Sequence, residues 1–115
     1  MAQTPVRVLD TRDGVAARGR LSATGALSIP VPGLPAGTTA VAVTITAVAP
    51  SADTYVRATA TDDAASQTSN VNVAQDGTRA NLAIVPVAAD GRITLTTHTG
   101  DVHLVVDVSG WFVPG

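Results

Sequence analysis

Apolar residues alternate with small or polar residues along several short stretches of the chain. In the clearest stretch, residues 39–48, Val41, Val43 and Ile45 fall on one face of an extended strand, and alanine and threonine fall on the other. Valine and threonine favour strands over helices because their branched side chains pack well on a pleated surface. The pattern therefore predicts a β-strand here, with its large apolar side chains directed into a core.

About eight such stretches follow one another at a spacing of roughly ten residues, separated by segments rich in glycine, proline and aspartate. These turn residues interrupt strands, and Gly100-Asp101 is predicted to close a hairpin. We predict one all-β domain over residues 1–115, an antiparallel β-sandwich of jelly-roll type with about eight strands. The predicted strands are residues 5–9, 26–31, 39–48, 54–60, 69–74, 80–88, 92–97 and 102–108.

The charged residues are of two kinds only. The nine acids are all aspartate and the seven bases are all arginine, so glutamate and lysine, which commonly cover exposed helix faces, are missing. A formal net charge of −2 gives no long-range attraction to nucleic acid, which is not an expected partner. No apolar run reaches the roughly 18 residues of a membrane span, so we expect no membrane insertion. The first residues lack a signal-peptide pattern, and we interpret the chain as an excised module or mature form.

The outer positions of the predicted strands are unusually apolar. A solvated sandwich face should be polar, so either the long connection over residues 10–25 covers this face or further copies of the chain do. We treat the face as a candidate homo-oligomer interface, with a trimer favoured over a dimer. Its predicted residues are Ala40, Ala42, Ala83, Val85, Val87 and Val105.

Catalytic chemistry has little support in the sequence. Cysteine is absent, no Gly-x-Ser-x-Gly motif occurs, and only two histidines are present. His103 and Asp107 lie four residues apart on one predicted strand, which rises about 3.3 Å per residue, so they are too far apart for direct contact. We therefore predict that the protein is not an enzyme and assign no catalytic residues.

The aspartates are interpreted mainly as structural residues. Asp-Gly pairs at residues 13, 76 and 90 are typical of tight turns, and no dedicated Asp-x-Asp-x-Asp loop is present, so no cofactor is predicted and no metal ligand is assigned. Ca²⁺ stays an alternative, because aspartate oxygens suit it. Asp10 and Arg12 are expected to pin the long loop, by pairing with each other or with the last strand.

Sugar recognition combines an aromatic ring with amides and carboxylates, and these residue types supply a candidate ligand-binding set. The asparagines either fix loops by internal hydrogen bonds or contact a ligand. Strand alternation places Phe112 in the core and directs Trp111 and Tyr55 outward, although Trp111 is also suited to packing at an open end of the sandwich. The candidate residues are Trp111, Tyr55, Asn70, Asn72, Asn81, Asp107 and His103.

Five short motifs are spread along nearly the whole chain. They are Pro-Val-Arg-Val-Leu-Asp-Thr-Arg at 5–12, Val-Pro-Gly-Leu-Pro-Ala-Gly at 31–37, Ser-Asn-Val-Asn at 69–72, Ala-Asn-Leu-Ala-Ile-Val-Pro-Val at 80–87 and His-Leu-Val-Val-Asp-Val-Ser-Gly-Trp-Phe at 103–112. In this order they resemble a repeat module of secreted actinobacterial proteins, although Thr44 stands where the module typically has Asn. The resemblance implies an accessory domain of a secreted, extracellular protein, often in tandem beside hydrolase or peptidase domains and directed at cell walls or glycans.

Together these features predict a non-catalytic, lectin-like module of a secreted bacterial protein. Its expected partner is a glycan or cell-wall polysaccharide. The alternative is a structural or assembly module that self-associates through the apolar sheet face.

Overall fold

The computed structural model describes residues 2–23, 25–60 and 70–114. Within these ranges the chain forms β-strands, and no helix capable of crossing a membrane is found among them. The strands are β1 (Ala2–Asp10), β2 (Leu21–Ser22), β3 (Ala26–Pro30), β4 (Ala40–Val48), β5 (Thr54–Thr59), β6 (Asn70–Val73), β7 (Thr78–Pro86), β8 (Arg92–Thr97) and β9 (Asp101–Phe112).

The strands form two antiparallel sheets. Sheet I has the order β1-β9-β4-β7, with the two-residue β2 paired beside β9, and sheet II has the order β3-β8-β5-β6. When β2 is left out, the strand orders are first-eighth-third-sixth and second-seventh-fourth-fifth, which is the arrangement of a jelly roll. The predicted antiparallel sandwich is therefore confirmed, and each predicted strand has a counterpart.

The predicted hairpin at Gly100-Asp101 is wrong. Strand β8 pairs with β3 and β5 in sheet II, whereas β9 pairs with β1 and β4 in sheet I. The chain therefore crosses between the sheets at Gly100, whose positive φ of 68° suits glycine. Turn residues indicate that the chain reverses, but they do not indicate which sheet receives the next strand.

The core lies between the two sheets and is almost entirely aliphatic. Along β4, every second residue is fully buried, including Val41, Val43 and Ile45, as the alternation predicted. Ile93 and Leu95 of β8 belong to the same core cluster. Because each strand directs alternate side chains inward, the other set is available to form the two outer faces.

A β-bulge in β9 inverts the predicted orientation of the two C-terminal aromatics. The pairing of β9 with β4 shifts by one residue at Ser109, so Trp111 lies opposite the inward-facing Val41 and packs against the core. Phe112 lies opposite Ala40 and is 46% exposed. The sequence-based assignment of Phe112 to the core and Trp111 to the outside is therefore wrong, because counting alternate positions assumes a regular strand.

The predicted apolar face is also wrong on β7. Ala83 and Val85 are buried in the core, and Val87 packs against it. The outward residues are Leu82 and Ile84, which are 66% and 51% exposed. Residues 80–88 are apolar on both faces, so alternation offered no physical basis for deciding which set faces inward.

Val105 is likewise not available to a partner. It lies between Asp10 of β1 and Thr46 of β4 in the sheet, and it is buried although its position has outward parity. Ala40 and Ala42 keep their predicted outward position and are half-buried. Two of the six predicted face residues therefore stay on the outer face of sheet I in the expected way.

Candidate functional site

The outer face of sheet II carries a stacked pair of rings. Tyr55 on β5 and His98, directly after β8, are neighbours across the sheet because Val56 pairs with Thr97. The ring centroids lie 4.6 Å apart, and the ring planes differ by 10°. The backbone N–H of His98 donates to the carbonyl oxygen of Tyr55 at 3.1 Å, which joins the two residues through their backbones as well.

Two polar side chains flank the ring of Tyr55. The guanidinium carbon of Arg57, two residues along the same strand, lies 5.0 Å from the ring centroid, within cation–π distance. Asn72 on β6 pairs with Tyr55 across the other side of β5, and it is exposed. We call Tyr55, Arg57, Asn72 and His98 the sheet II cluster.

The sheet II cluster is supported from below by buried threonines. The Oγ1 atoms of Thr54 and Thr97 lie 3.1 Å apart, and the backbone N–H of Thr99 donates to Thr54 Oγ1 at 2.9 Å. Both Thr54 and Thr97 are buried, so these bonds are shielded from water. They join β5 to β8 at the place where Tyr55 and His98 leave the sheet surface.

An open cleft of about 300 Å³ adjoins the sheet II cluster. Its polar lining is formed by Asn72, Asp53 and Arg79, and Asp53 also accepts a hydrogen bond from the backbone N–H of Gln75 at 2.8 Å. An amide, a carboxylate and a guanidinium group therefore border one concave surface. Together they supply both donors and acceptors beside the stacked rings.

The seven predicted ligand-binding residues do not converge. Tyr55 and Asn72 come together in the sheet II cluster. The side chain of Asn70, on the same strand as Asn72, lies outside the described part of the structure. Asn81 is exposed on β7 of the other sheet. Tyr55 and Asn72 are thus the predicted residues that the structure joins in one described site.

Trp111 and Asp107 make contacts that stabilise the fold, away from the sheet II cluster. Trp111 lines a cavity of about 100 Å³ together with Val6, Leu34 and Val108, at one end of the sandwich. Asp107 faces outward from sheet I, and its oxygens accept bonds from Arg7 Nε at 3.0 Å and Nη2 at 3.3 Å. Both residues therefore lie on surfaces other than that of the sheet II cluster.

His103 also lies on sheet I. Its Nδ1 is 2.9 Å from Thr11 Oγ1 at the start of the long loop. Burial, reinforced by the nearby Arg20 and Arg12 guanidinium groups, lowers the pKa of His103 below its ordinary value. The neutral form of the histidine is therefore favoured, and its contact with Thr11 helps to hold the loop.

Asp10 and Arg12 form the predicted structural pair. The Asp10 carboxylate, which is 1% exposed, accepts bonds from the backbone N–H, Nε and Nη2 of Arg12 at 3.1, 3.0 and 3.0 Å. Arg7 Nη1 adds a fourth contact at 3.4 Å. The Arg12 side chain is the main reason that the pKa of Asp10 falls to about 2. The pair fixes the first turn of the loop, as expected.

Sequence reasoning missed Arg57 and His98. Arg57 shares strand parity with Tyr55, so its position on the same face was readable from the sequence. The position of His98 was not readable, because it depends on β5 and β8 being neighbours in sheet II.

The part of the chain that the structure describes contains no ready-made metal-binding site. Among the described residues, no group of three histidines and aspartates is arranged to hold a metal ion.

Comparison with known proteins does not assign the chain to a family: no family model matches it, and no curated protein matches it.

Proposed function

We propose that this protein is a non-catalytic, lectin-like module of a secreted bacterial protein and that it binds a glycan or cell-wall polysaccharide through the sheet II cluster. The observation that carries the proposal is the Tyr55–His98 stack, with Arg57 and Asn72 beside it on the outer face of the sheet. The motif resemblance to modules of secreted actinobacterial proteins supports the same location and ligand class.

The chemistry of the sheet II cluster suits a sugar ring. A pyranose presents a C–H face that packs on flat π surfaces and a rim of hydroxyls that need directional partners. The exposed His98 ring and the Arg57 guanidinium plane offer flat surfaces, while Asn72 offers both a donor and an acceptor. The adjoining cleft of about 300 Å³ is at the small end of ligand sites, which suits a short saccharide segment.

The rigidity of the site also favours binding. Tyr55, Arg57 and Asn72 project from β-strands, and the buried Thr54–Thr97 contact fixes the sheet beneath them. Side chains that are already ordered lose less conformational entropy when a ligand binds. A weakly binding sugar is therefore held without first having to order a loop.

Binding to a glycan array and to insoluble cell-wall polysaccharide tests the proposal. We expect Tyr55→Ala and Asn72→Ala each to weaken binding by about tenfold or more, corresponding to about 1.4 kcal/mol per contact group. Thr44→Ala, on the outer face of the opposite sheet, is the matched control and should bind normally.

Two results would contradict the proposal. One is the absence of binding to every glycan tested by a folded protein. The other is binding that Asn72→Ala leaves unchanged, since the exposed Asn72 side chain can be shortened without disturbing the core. Release of reducing sugar from a bound polysaccharide would contradict the non-catalytic part alone.

A further inference from the structure

The edge strands of the two sheets are unequally protected. Strand β1 contains Pro5 and pairs irregularly, β3 has five residues and ends at Pro30, and β6 has four residues. Prolines, irregular pairing and short length all discourage pairing with another chain. Strand β7 differs, because its nine residues pair with β4 in unbroken register and include a single charged side chain, Arg79.

One side of β7 exposes its backbone. The N–H of Val87 donates to Thr39 O at 3.1 Å, and the N–H of Ala49 donates to Gly77 O at 2.7 Å, so the odd-numbered residues of this segment direct their backbone groups toward β4. By alternation, the even-numbered residues direct theirs away from β4. Among the described residues no further strand lies on that side. The N–H groups on that side belong to Thr78, Ala80, Leu82 and Ile84, and within the described ranges none of them has a backbone acceptor.

The same edge carries exposed apolar side chains. Leu82 and Ile84 are 66% and 51% exposed on the outer face of sheet I. Their neighbours on β4 are Thr44 and Ala42, which are too small to cover them. An open backbone edge with adjacent apolar side chains is the combination that favours strand addition.

We infer that β7 pairs antiparallel with β7 of a second copy of this chain, about a two-fold axis at Leu82. Leu82 is the central residue of the strand, so this register overlaps all nine residues. Each of the four free N–H groups then meets a carbonyl oxygen of the other copy, and Pro86, which has no N–H, serves only as an acceptor. Sheet I becomes continuous across the two copies.

Side-chain matching is the reason for choosing a second copy over another polypeptide. The register places Ile84 opposite the small Ala80 of the second copy and Leu82 opposite its equivalent. Arg79 lies opposite Val85, so the two arginines are at opposite ends of the paired strands and do not repel each other. The strand is therefore complementary to itself in size and in charge.

The contact area indicates a reversible dimer. A nine-residue strand is about 30 Å long, and an edge contact of that length buries much less than the roughly 800 Å² per partner of a stable interface. The inferred assembly is thus a concentration-dependent dimer, in place of the trimer expected from the sequence. The pairing leaves the sheet II cluster exposed in both copies, and β7 contributes one residue, Arg79, to the lining of the adjoining cleft. Dimer formation can therefore be tested separately from glycan binding.

Sedimentation velocity over a concentration series tests this inference. We expect a monomer–dimer equilibrium that Leu82→Lys weakens by about tenfold or more, because it places like charges on the two-fold axis. Phe112→Lys is the matched control: Phe112 is exposed on the same outer face but lies on β9, and this variant should dimerise normally. A chain that stays monomeric at every concentration, or a dimer broken by Phe112→Lys and not by Leu82→Lys, would overturn the inference.

Cysteine crosslinking tests the register. The chain contains no cysteine, and residues directly opposite in an antiparallel pair have Cα atoms about 5.5 Å apart, within disulfide range. Leu82→Cys should therefore form a disulfide dimer on mild oxidation, whereas the equally exposed Ile84→Cys should not, since its equivalent lies about 13 Å away along the strand. Equal crosslinking of both variants would overturn the register.

Discussion

Replacing Asp10 with Asn removes the charge at the base of the long loop without changing its shape. The Asp10 carboxylate is 1% exposed and accepts bonds from the backbone and side chain of Arg12 and from Arg7. An amide of the same size presents an N–H₂ group to some of these donors. Asp10→Asn should therefore lose hydrogen bonds at a site that water does not reach.

The magnitude follows from the pKa of Asp10. Its fall from 3.8 to about 2, at 1.36 kcal/mol for each pH unit, corresponds to roughly 2 kcal/mol of stabilisation. The Arg12 and Arg7 side chains are 43% and 48% exposed, so solvent screening reduces this to about 1–2 kcal/mol. Because the folded pKa is lowered, this stabilisation is present above about pH 4 and is lost as the pH falls through about 2.

Urea unfolding followed by circular dichroism between pH 7 and pH 2 measures the effect. We expect Asp10→Asn to be less stable than the unsubstituted protein by about 1–2 kcal/mol at pH 7, with the difference shrinking toward zero near pH 2. Asp13→Asn, on the same loop but exposed, is the control and should change stability by less than about 0.5 kcal/mol. A difference that is absent at pH 7, or constant down to pH 2, would refute the reasoning.

Three further predictions concern single residues. Trp111→Ala should lower the free energy of unfolding by about 2 kcal/mol, which is less than for a fully buried tryptophan because Trp111 is only partly buried. The folded variant should still bind glycan, and a loss of binding without a loss of stability would contradict the packing role of Trp111. Gly100→Ala should lower the melting temperature, because the residue has a φ of 68° and its Cβ would meet the Ser51 side chain; an unchanged value would contradict this. An NMR titration should give a pKa for His103 below its ordinary value of 6.5, because burial beside Thr11 favours the neutral ring in the folded state. A pKa above 6.5 would show that burial is not the dominant influence.

The fold was readable from the sequence where the two faces of a strand differ. On β4, large branched residues such as Val41 and Ile45 alternate with small ones, and only the large set fills a core. The turn residues between strands then gave the number and spacing of the elements. The Asp10–Arg12 pair was also predictable, because the two opposite charges lie only two residues apart in the sequence.

The remaining features depend on pairing between distant strands. The bulge at Ser109 inverts Trp111 and Phe112, and counting alternate positions overlooks it although Gly110, beside it inside β9, is a residue type that often marks a bulge. Tyr55 meets His98 only because β5 and β8 are neighbours in sheet II, which the sequence does not specify. Local alternation therefore predicts which residues are buried where a strand is regular and its two faces differ, as on β4, whereas sites assembled across strands require the sheet order.

The glycan-binding account is tested most directly by an NMR titration of the labelled protein with the oligosaccharide that binds best on the array. The account predicts chemical-shift changes in residues 53–57, 71–74 and 96–99 and in Arg79, which surround the sheet II cluster and its cleft. Changes confined to residues of sheet I other than Arg79, or to the loops at residues 31–38 and 87–91 that line a separate cavity, would contradict it.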